Sequence, residues 1–383
     1  MNFCARALHI TCSADIGLTS IHFTCFDGTH HSSQTIALAT TGVNTDKLMQ
    51  MEMFVWMFEE KASEYSVEHF HAILDDISAK KGLYKAPTAA LGAAAACAGF
   101  TFLLGGGIYE MICAFFGAFA GQFLRKKMHE RELTLLSCII ASVALALVVY
   151  TGCIRLAEAF LGTPAGHEAG FICSMLFVIP GFPLITGGID IAKLDLRSGI
   201  ERLLYALLII TAATLTGWVL AWALGMKPND LMTPKLTILT VSLLRLIMSF
   251  ISVFGFSMLF NSPPKIAASA GVVGMIANTL RLFLVDETAI PFSVAAFIGA
   301  LTAGLLASLV KKQTGFPRIS LTVPSIVIMV PGLFMYRAVY YIGGMNLQDG
   351  TPWLVKAVLI VLALPLGLVC ARILTDASFR HCS

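Results

Sequence analysis

Few side chains in the apolar three quarters of this chain can carry charge, and that scarcity gives each one weight. Glu110, Arg245, Arg281 and Arg337 fall inside or at the ends of long apolar runs, where an ionised group at mid-depth of a bilayer costs at least about 2.5 kcal/mol. An arginine held there presents a planar, permanently charged fork that suits a carboxylate. Arg281 and Arg337, together with Arg245, are therefore candidates for a positive potential that holds a carboxylate-bearing solute, and Glu110 is a candidate proton carrier. The alternative is that these side chains snorkel to an interface or pair with one another. Uncharged groups extend the set: Thr186 and Tyr336 supply hydroxyls, and Asn278 supplies an amide whose plainer use is an interhelical hydrogen bond.

Two breaks in the apolar pattern would place these groups. FVIPGFPLITGG holds Pro180, Gly181 and Pro183, and IVIMVPGLFMYRA holds Pro331 and Gly332. Proline removes a backbone donor and clashes with the preceding turn, and glycine adds freedom, so each helix should kink or unwind at its Pro-Gly step. Backbone unwound at membrane depth survives only where protein or a wet cavity satisfies it. Paired interruptions at corresponding positions of two halves point to a central solute site. Pro180, Gly181, Pro183, Pro331 and Gly332 therefore join the candidate binding residues.

The elements that must position them are membrane helices. The chain is 57% hydrophobic and only 13% charged, against about 25% charged in an ordinary soluble domain. Apolar runs recur near 88–104, 107–124, 134–154, 169–187, 201–224, 237–260, 265–284, 291–310, 322–342 and 353–374. Each is long enough for a helix to cross roughly 30 Å of hydrocarbon. Placing the amino terminus in the cytosol puts ten basic residues in inner loops, Lys193, Arg197, Lys311, Lys312 and Arg318 among them, against Arg155, Lys227 and Lys235 outside. That is the positive-inside pattern, and ten crossings return the carboxyl terminus to the cytosol. The chain then divides into a small α+β cytosolic domain (1–86), a five-helix half (87–225), a connector (226–236), a second five-helix half of inverted orientation (237–375) and a tail (376–383).

In the first segment, the alternation of TSIHFTCF and SQTIALAT predicts strands. Asn44 and Ser66 are placed to cap two helices that follow. MNFCARALHITCSADIG lacks the charged leader and apolar stretch of a cleaved signal peptide, so the first residues should stay in the cytosol. The ten cysteines include no CxxC pair and read as reduced, space-filling thiols. His22, Cys25, His30 and His31 lack the spacing of a zinc site. No metal, no cofactor and no ATP-binding loop is expected. The net charge of +3 is too small and too dispersed for a nucleic-acid partner. Gly117 and Gly121 form a GxxxG pair of the helix-packing kind.

Several stretches form a recognisable set. In the first half they are AALGAAAACAGFTFLLGG, the basic LRKKM end of the second span, and VIPGFPL followed by DIAKLDLRSGIER. In the second they are FNSPPKIAASAGVVGMIANTLR, FIGALTAGL and TVPSIVIMVPGLFMYRA. Together they resemble the threonine/serine exporter (ThrE) family, and the resemblance covers roughly residues 45 to 374. It implies a secondary exporter of small hydroxylated amino acids, driven by the proton gradient of a bacterial inner membrane and working by alternating access of its halves. The sequence departs from the family pattern in one respect: members often begin with an extra amphipathic helix before the strands, whereas this chain is expected to open almost at its first strand. Related two-subunit systems leave dicarboxylate (succinate-type) export as the alternative. A homo-oligomer is left open. From another class, a membrane enzyme acting on a lipid-linked substrate would need reactive groups gathered at one face, and the outer loops offer only isolated ones, His167, Glu168, Asp286 and Glu287.

Overall fold

A computed structural model of the chain describes residues 1–38, 42–62, 64–162, 168–227 and 237–380. Most of the predicted 226–236 connector, and His167, lie outside the described residues.

The first segment folds as α1 (Asn2–Ala7), β1 (Thr11–Ile16), β2 (Ser20–Phe26), β3 (His31–Ala37), α2 (Thr45–Lys61) and α3 (Val67–Ala79). The strands form an antiparallel sheet in the order β1-β2-β3, with Ile16 opposite Ile21 and Cys12 opposite Cys25. Instead of opening at its first strand, the chain sets a six-residue helix ahead of it. That helix has no side-chain cap and is too short to announce itself by propensity. It is held by packing, with Cys4 and Ala7 against a small core of Phe54, Phe58, Phe70 and Ile77. β1 carries little apolar bulk, which is why alternation did not reveal it. The two predicted caps are in place: Asn44 accepts from the Lys47 amide at 3.1 Å, and Ser66 from the His69 amide at 3.3 Å.

The β2–β3 turn is organised by Asp27, whose Oδ1 accepts from the His30 amide at 2.7 Å and the Thr29 amide at 2.8 Å. Those donors, His30 first, hold its carboxyl at about 2, below the ordinary 3.8. Because the folded value lies below the unfolded one, the support that Asp27 gives the turn is present above pH 3.8 and lost as pH falls through about 2. Carboxyl resonances of 13C-labelled aspartate should show one group with that low midpoint, and its absence from the Asp27→Asn spectrum assigns it.

The remaining helices are α4 (Ala86–Leu103), α5 (Ile108–His129), α6 (Leu135–Leu161), α7 (Glu168–Cys173), α8 (Gly181–Ala192), α9 (Leu196–Leu224), α10 (Ile238–Leu259), α11 (Pro264–Glu287), α12 (Phe292–Thr314), α13 (Arg318–Val327), α14 (Gly332–Gly343), α15 (Leu347–Thr375) and α16 (Ala377–Arg380). Seven of them, α4, α6, α9, α10, α11, α12 and α15, are long and apolar enough to cross a membrane. Counted as one span each, the pairs α7/α8 and α13/α14, bent by 66° and 47°, bring the number among the described residues up to nine. α5 runs 22 residues but ends in Lys126, Lys127 and His129, so it lacks the apolarity of the others. The protein is thus a mostly helical, multi-pass membrane protein with a small three-stranded sheet.

Without a hydrophobic drive between helices in lipid, small residues set the close approaches. α4 crosses α10 where a Cβ on Gly255 would overlap the Gly92 carbonyl oxygen. Gly117 and Gly121 on α5 meet the Ala146 and Ser142 carbonyls of α6 in the same way, each 2.7 Å from a would-be Cβ. Packing partners recur: α4 on α5 and α10 on α11, α5 on α6 and α11 on α12, α8 on α9 and α14 on α15. Between the two sets, α8 packs on α15 and α14 on α9.

The N-terminal segment docks on this bundle at the β1–β2 turn and at the start of α2, and farther along α2 through Glu52 and Lys311. At the β1–β2 turn, Glu201 accepts from the Leu18 amide at 2.5 Å, Ser198 donates to the Ile16 carbonyl, and Arg197 pairs with Asp15. The 190–202 stretch therefore carries the sheet at its β1–β2 turn. At the start of α2, Thr45 donates its amide to the Phe260 carbonyl at 3.0 Å and its hydroxyl to Ser262 at 2.7 Å. Beside it, Asn261 sits at φ 59°, accepts from the Leu83 amide at 2.7 Å and donates to Asn44 at 2.8 Å. Glycine tolerates that φ, so Asn261→Gly removes only the two side-chain bonds, worth roughly 0.5–1.5 kcal/mol each. Trypsin should then cut at Lys80, Lys81 or Lys85 roughly tenfold faster, by that energy. An unchanged rate would mean that Asn261 does not hold the domain.

Candidate functional site

Both Pro-Gly steps break their helices with the same local geometry. Pro180 lies at φ −82°, ψ 59° and Pro331 at φ −81°, ψ 53°. In each case the following glycine amide reaches back two residues, Gly181 to the Ile179 carbonyl and Gly332 to the Val330 carbonyl, both at 2.9 Å. These are inverse γ-turns, which redirect the chain while keeping one backbone bond. Both prolines are buried, and the two breaks touch. A Cβ on Gly181 would stand 3.0 Å from Val327, and one on Gly332 2.7 Å from Ile179 and 2.8 Å from Leu176. The contacts are reciprocal in sequence: the separation that divides Pro180 from Pro331 also divides Gly181 from Gly332 and Leu176 from Val327. Arg125 on α5 donates to the Phe177 carbonyl at 3.3 Å, supplying a partner that the first break would otherwise remove.

On the side that carries the N-terminal domain lies a cavity of about 940 Å³, lined by α8 and α13, the helices that adjoin the breaks. α8 contributes Thr186, Asp190 and Lys193, and α9 contributes Arg202. α12 and α13 contribute Lys311, Lys312, Arg318 and Thr322, and α15 contributes Arg372. α2 lies over it with Met49, Glu52, Met53 and Trp56. Three carboxylates line the vestibule, each against a cation: Asp190 on Arg202 at 2.9 Å, Glu52 on Lys311 at 3.4 Å, Asp376 on Arg372 at 3.4 Å. Lys193, Lys312 and Arg318 are in excess of them, so the vestibule is positive. Arg318 is braced by the Thr375 hydroxyl at 2.9 Å and the Gly304 carbonyl at 3.2 Å. A positive, half-enclosed space attracts small anions and strengthens their binding as water leaves.

Of the residues singled out from the sequence, Thr186 lines this vestibule and Pro183 is half-buried less than one turn before it. Pro180, Gly181, Pro331 and Gly332 form the contact between the breaks. The others gather elsewhere. Asn278 donates to Ser249 at 2.9 Å and accepts from Arg281 at 3.0 Å, a buried chain joining α10 and α11. Tyr336 packs edge-on against Phe171, ring centroids 6.3 Å apart. Arg337 makes a two-pronged ion pair with Glu168 at 2.8 and 2.5 Å and stacks on the Trp353 ring at 4.6 Å. Arg245 pairs with Asp286. Glu110 accepts from the Gly107 amide at 2.7 Å and the Gly170 amide at 3.3 Å, serving the first turns of α5 and α7.

Sequence reasoning overlooked two features. Lys193, Arg318 and their neighbours counted only as topology markers, although they flank the broken helices, the signal that places them at one mouth. Glu168 read as an isolated outer group, although it opens the first broken helix.

The threonine/serine exporter (ThrE) family model matches residues 1–225. A second, described as "Threonine/Serine exporter, ThrE", matches residues 245–374. Over 183 residues the chain is 28% identical to the "Probable succinate transporter subunit YjjP" of Klebsiella aerogenes, an alignment that takes in 47% of this chain and 66% of that protein. The chain thus spans slightly less than two thirds of that relative's length. No solved structure matches. With both family models lying end to end along one broken-helix bundle, the chain belongs to the threonine/serine exporter family.

Proposed function

We propose that the protein is a secondary exporter of small carboxylate-bearing solutes, threonine and serine in the first instance, which enter through the basic vestibule. The single observation that carries this reading is the positive cavity walled by α8 and α13, the two helices that adjoin the mutually packed breaks. On this reading the vestibule faces the cytosol, both termini lie there, and the membrane is the bacterial inner membrane. The excess of basic residues on that side supports the orientation. α5 completes ten crossings, arranged as two inverted five-helix halves; the recurring packing partners and reciprocal break contacts support it. Thr186 and Thr322 offer hydroxyls at the inner end of the vestibule, and Arg318 and Arg372 meet the carboxylate. The halves rock against each other at the breaks, and a proton gradient drives the cycle.

Dicarboxylate export is the second reading, favoured by the surplus of cations over carboxylates in the vestibule and by what the Klebsiella aerogenes relative is called. Proteoliposomes preloaded with labelled threonine or succinate, with and without an imposed pH gradient, separate the two. Release of one solute, accelerated by the gradient, supports the corresponding reading; release of neither removes the exporter function.

A further inference from the structure

The separation between the two prolines also maps the vestibule wall onto a second surface, on the side away from the N-terminal domain. It divides Thr186 from Arg337, Ile189 from Tyr340, Ile319 from Glu168 and Thr322 from Phe171. The first member of each pair lines the open cavity. Of the second members, Glu168, Phe171 and Arg337 are buried and Tyr340 is half-buried. Arg337 and Glu168 are 8% and 5% exposed and joined by both prongs of the guanidinium, Phe171 meets Tyr336 edge-on, and Trp353 covers the guanidinium face. Glu168 opens α7, in the part matched by the first family model, and Arg337 lies in α14, in the part matched by the second. The ion pair therefore spans the two halves at the place where an opening on this side would have to form.

We propose that Glu168 and Arg337 are the gate of the side opposite the vestibule, latched in this structure and parted when the protein faces the other way. A buried ion pair suits that duty. Removing one partner strands a charge and is strongly unfavourable, yet the net gain of the intact pair is small, because desolvation offsets attraction. Water entering between the halves rehydrates both groups, so the latch favours the closed state without making it permanent. The proposal rests on the exporter reading for its purpose, but its test needs no solute.

Cysteines introduced as Ile189→Cys and Tyr340→Cys, at matched positions of the two surfaces, are treated with a membrane-impermeant maleimide in vesicles of each orientation. Peptide mass spectrometry reads each site separately from the native thiols. Both positions are half-buried, so the labelling of each with the pair intact sets its own baseline. Adding Glu168→Gln should raise labelling at Tyr340→Cys on the order of tenfold and lower it at Ile189→Cys, as a shift between two states requires. Exchanging the charges, Glu168→Arg with Arg337→Glu, should return both sites toward the starting pattern. Unchanged labelling of Tyr340→Cys in the Glu168→Gln protein would overturn the gate, and so would a rise at both sites together, which reports loosening instead of alternation. Failure of threonine and succinate efflux alongside the predicted labelling would remove the substrate reading and leave the gate standing.

Discussion

Gly255→Leu is expected to stop the membrane region from assembling. A Cβ at this position would overlap the Gly92 carbonyl oxygen and stand 2.9 Å from the Ala96 Cβ and 3.2 Å from the Ala96 nitrogen. Two of those three obstacles are backbone atoms, which cannot turn aside as a flexible side chain can. Overpacking a core costs typically 1–3 kcal/mol and occasionally more. At a helix crossing in lipid, where close packing is the main source of adhesion, the upper end applies. Membrane abundance and monodispersity in detergent measure it, with Gly152→Leu as control, because a Cβ on Gly152 meets nothing within 4 Å. Wild-type abundance and unfolding temperature for Gly255→Leu would mean that α4 and α10 do not pack closely at this point.

The second large effect concerns charge in the vestibule. Neutralising Arg318 and Arg372 together, as Arg318→Gln with Arg372→Gln, should reduce efflux of a small anion by at least about tenfold, or 1.4 kcal/mol, with abundance preserved. The loss should appear as a raised half-saturating concentration, since the charges attract solute before any helix moves. Glutamine retains a donor for the Thr375 hydroxyl and Gly304 carbonyl that Arg318 now braces, so the bundle should tolerate the change. Salt should weaken the wild type toward the variant by screening. Undiminished efflux from the double variant would place the solute path elsewhere.

What could be read in advance follows from how local each cause is. The Pro-Gly breaks were legible because a missing amide and a ring clash act within one turn, and the structure turns at Pro180 and Pro331 with nearly equal dihedral angles. Asn44 and Ser66 were legible for the same reason, since a cap needs only the residue three places on. The Glu168–Arg337 pair was not, because its members are 169 residues apart and only the packing of α7 against α14 joins them. The vestibule was half legible: its cations were counted for orientation, but their convergence depends on α8, α13 and α15 ending side by side. β1 went unseen because its pairing with β2, not its own composition, makes it a strand.

Two anchorages of the N-terminal domain differ in chemistry, and the difference has a use. One combines exposed charges, Arg197 with Asp15 and Glu201, with the hydrogen bonds to Ile16 and Leu18; the other uses neutral bonds among Thr45, Ser257 and Ser262, all buried. Screening shortens from about 10 Å at 0.1 M salt to about 3 Å at 1 M, so concentrated salt should loosen the hairpin more than the start of α2. Ionic strength then shifts the burden of holding the domain from one seam to the other, without altering a single residue.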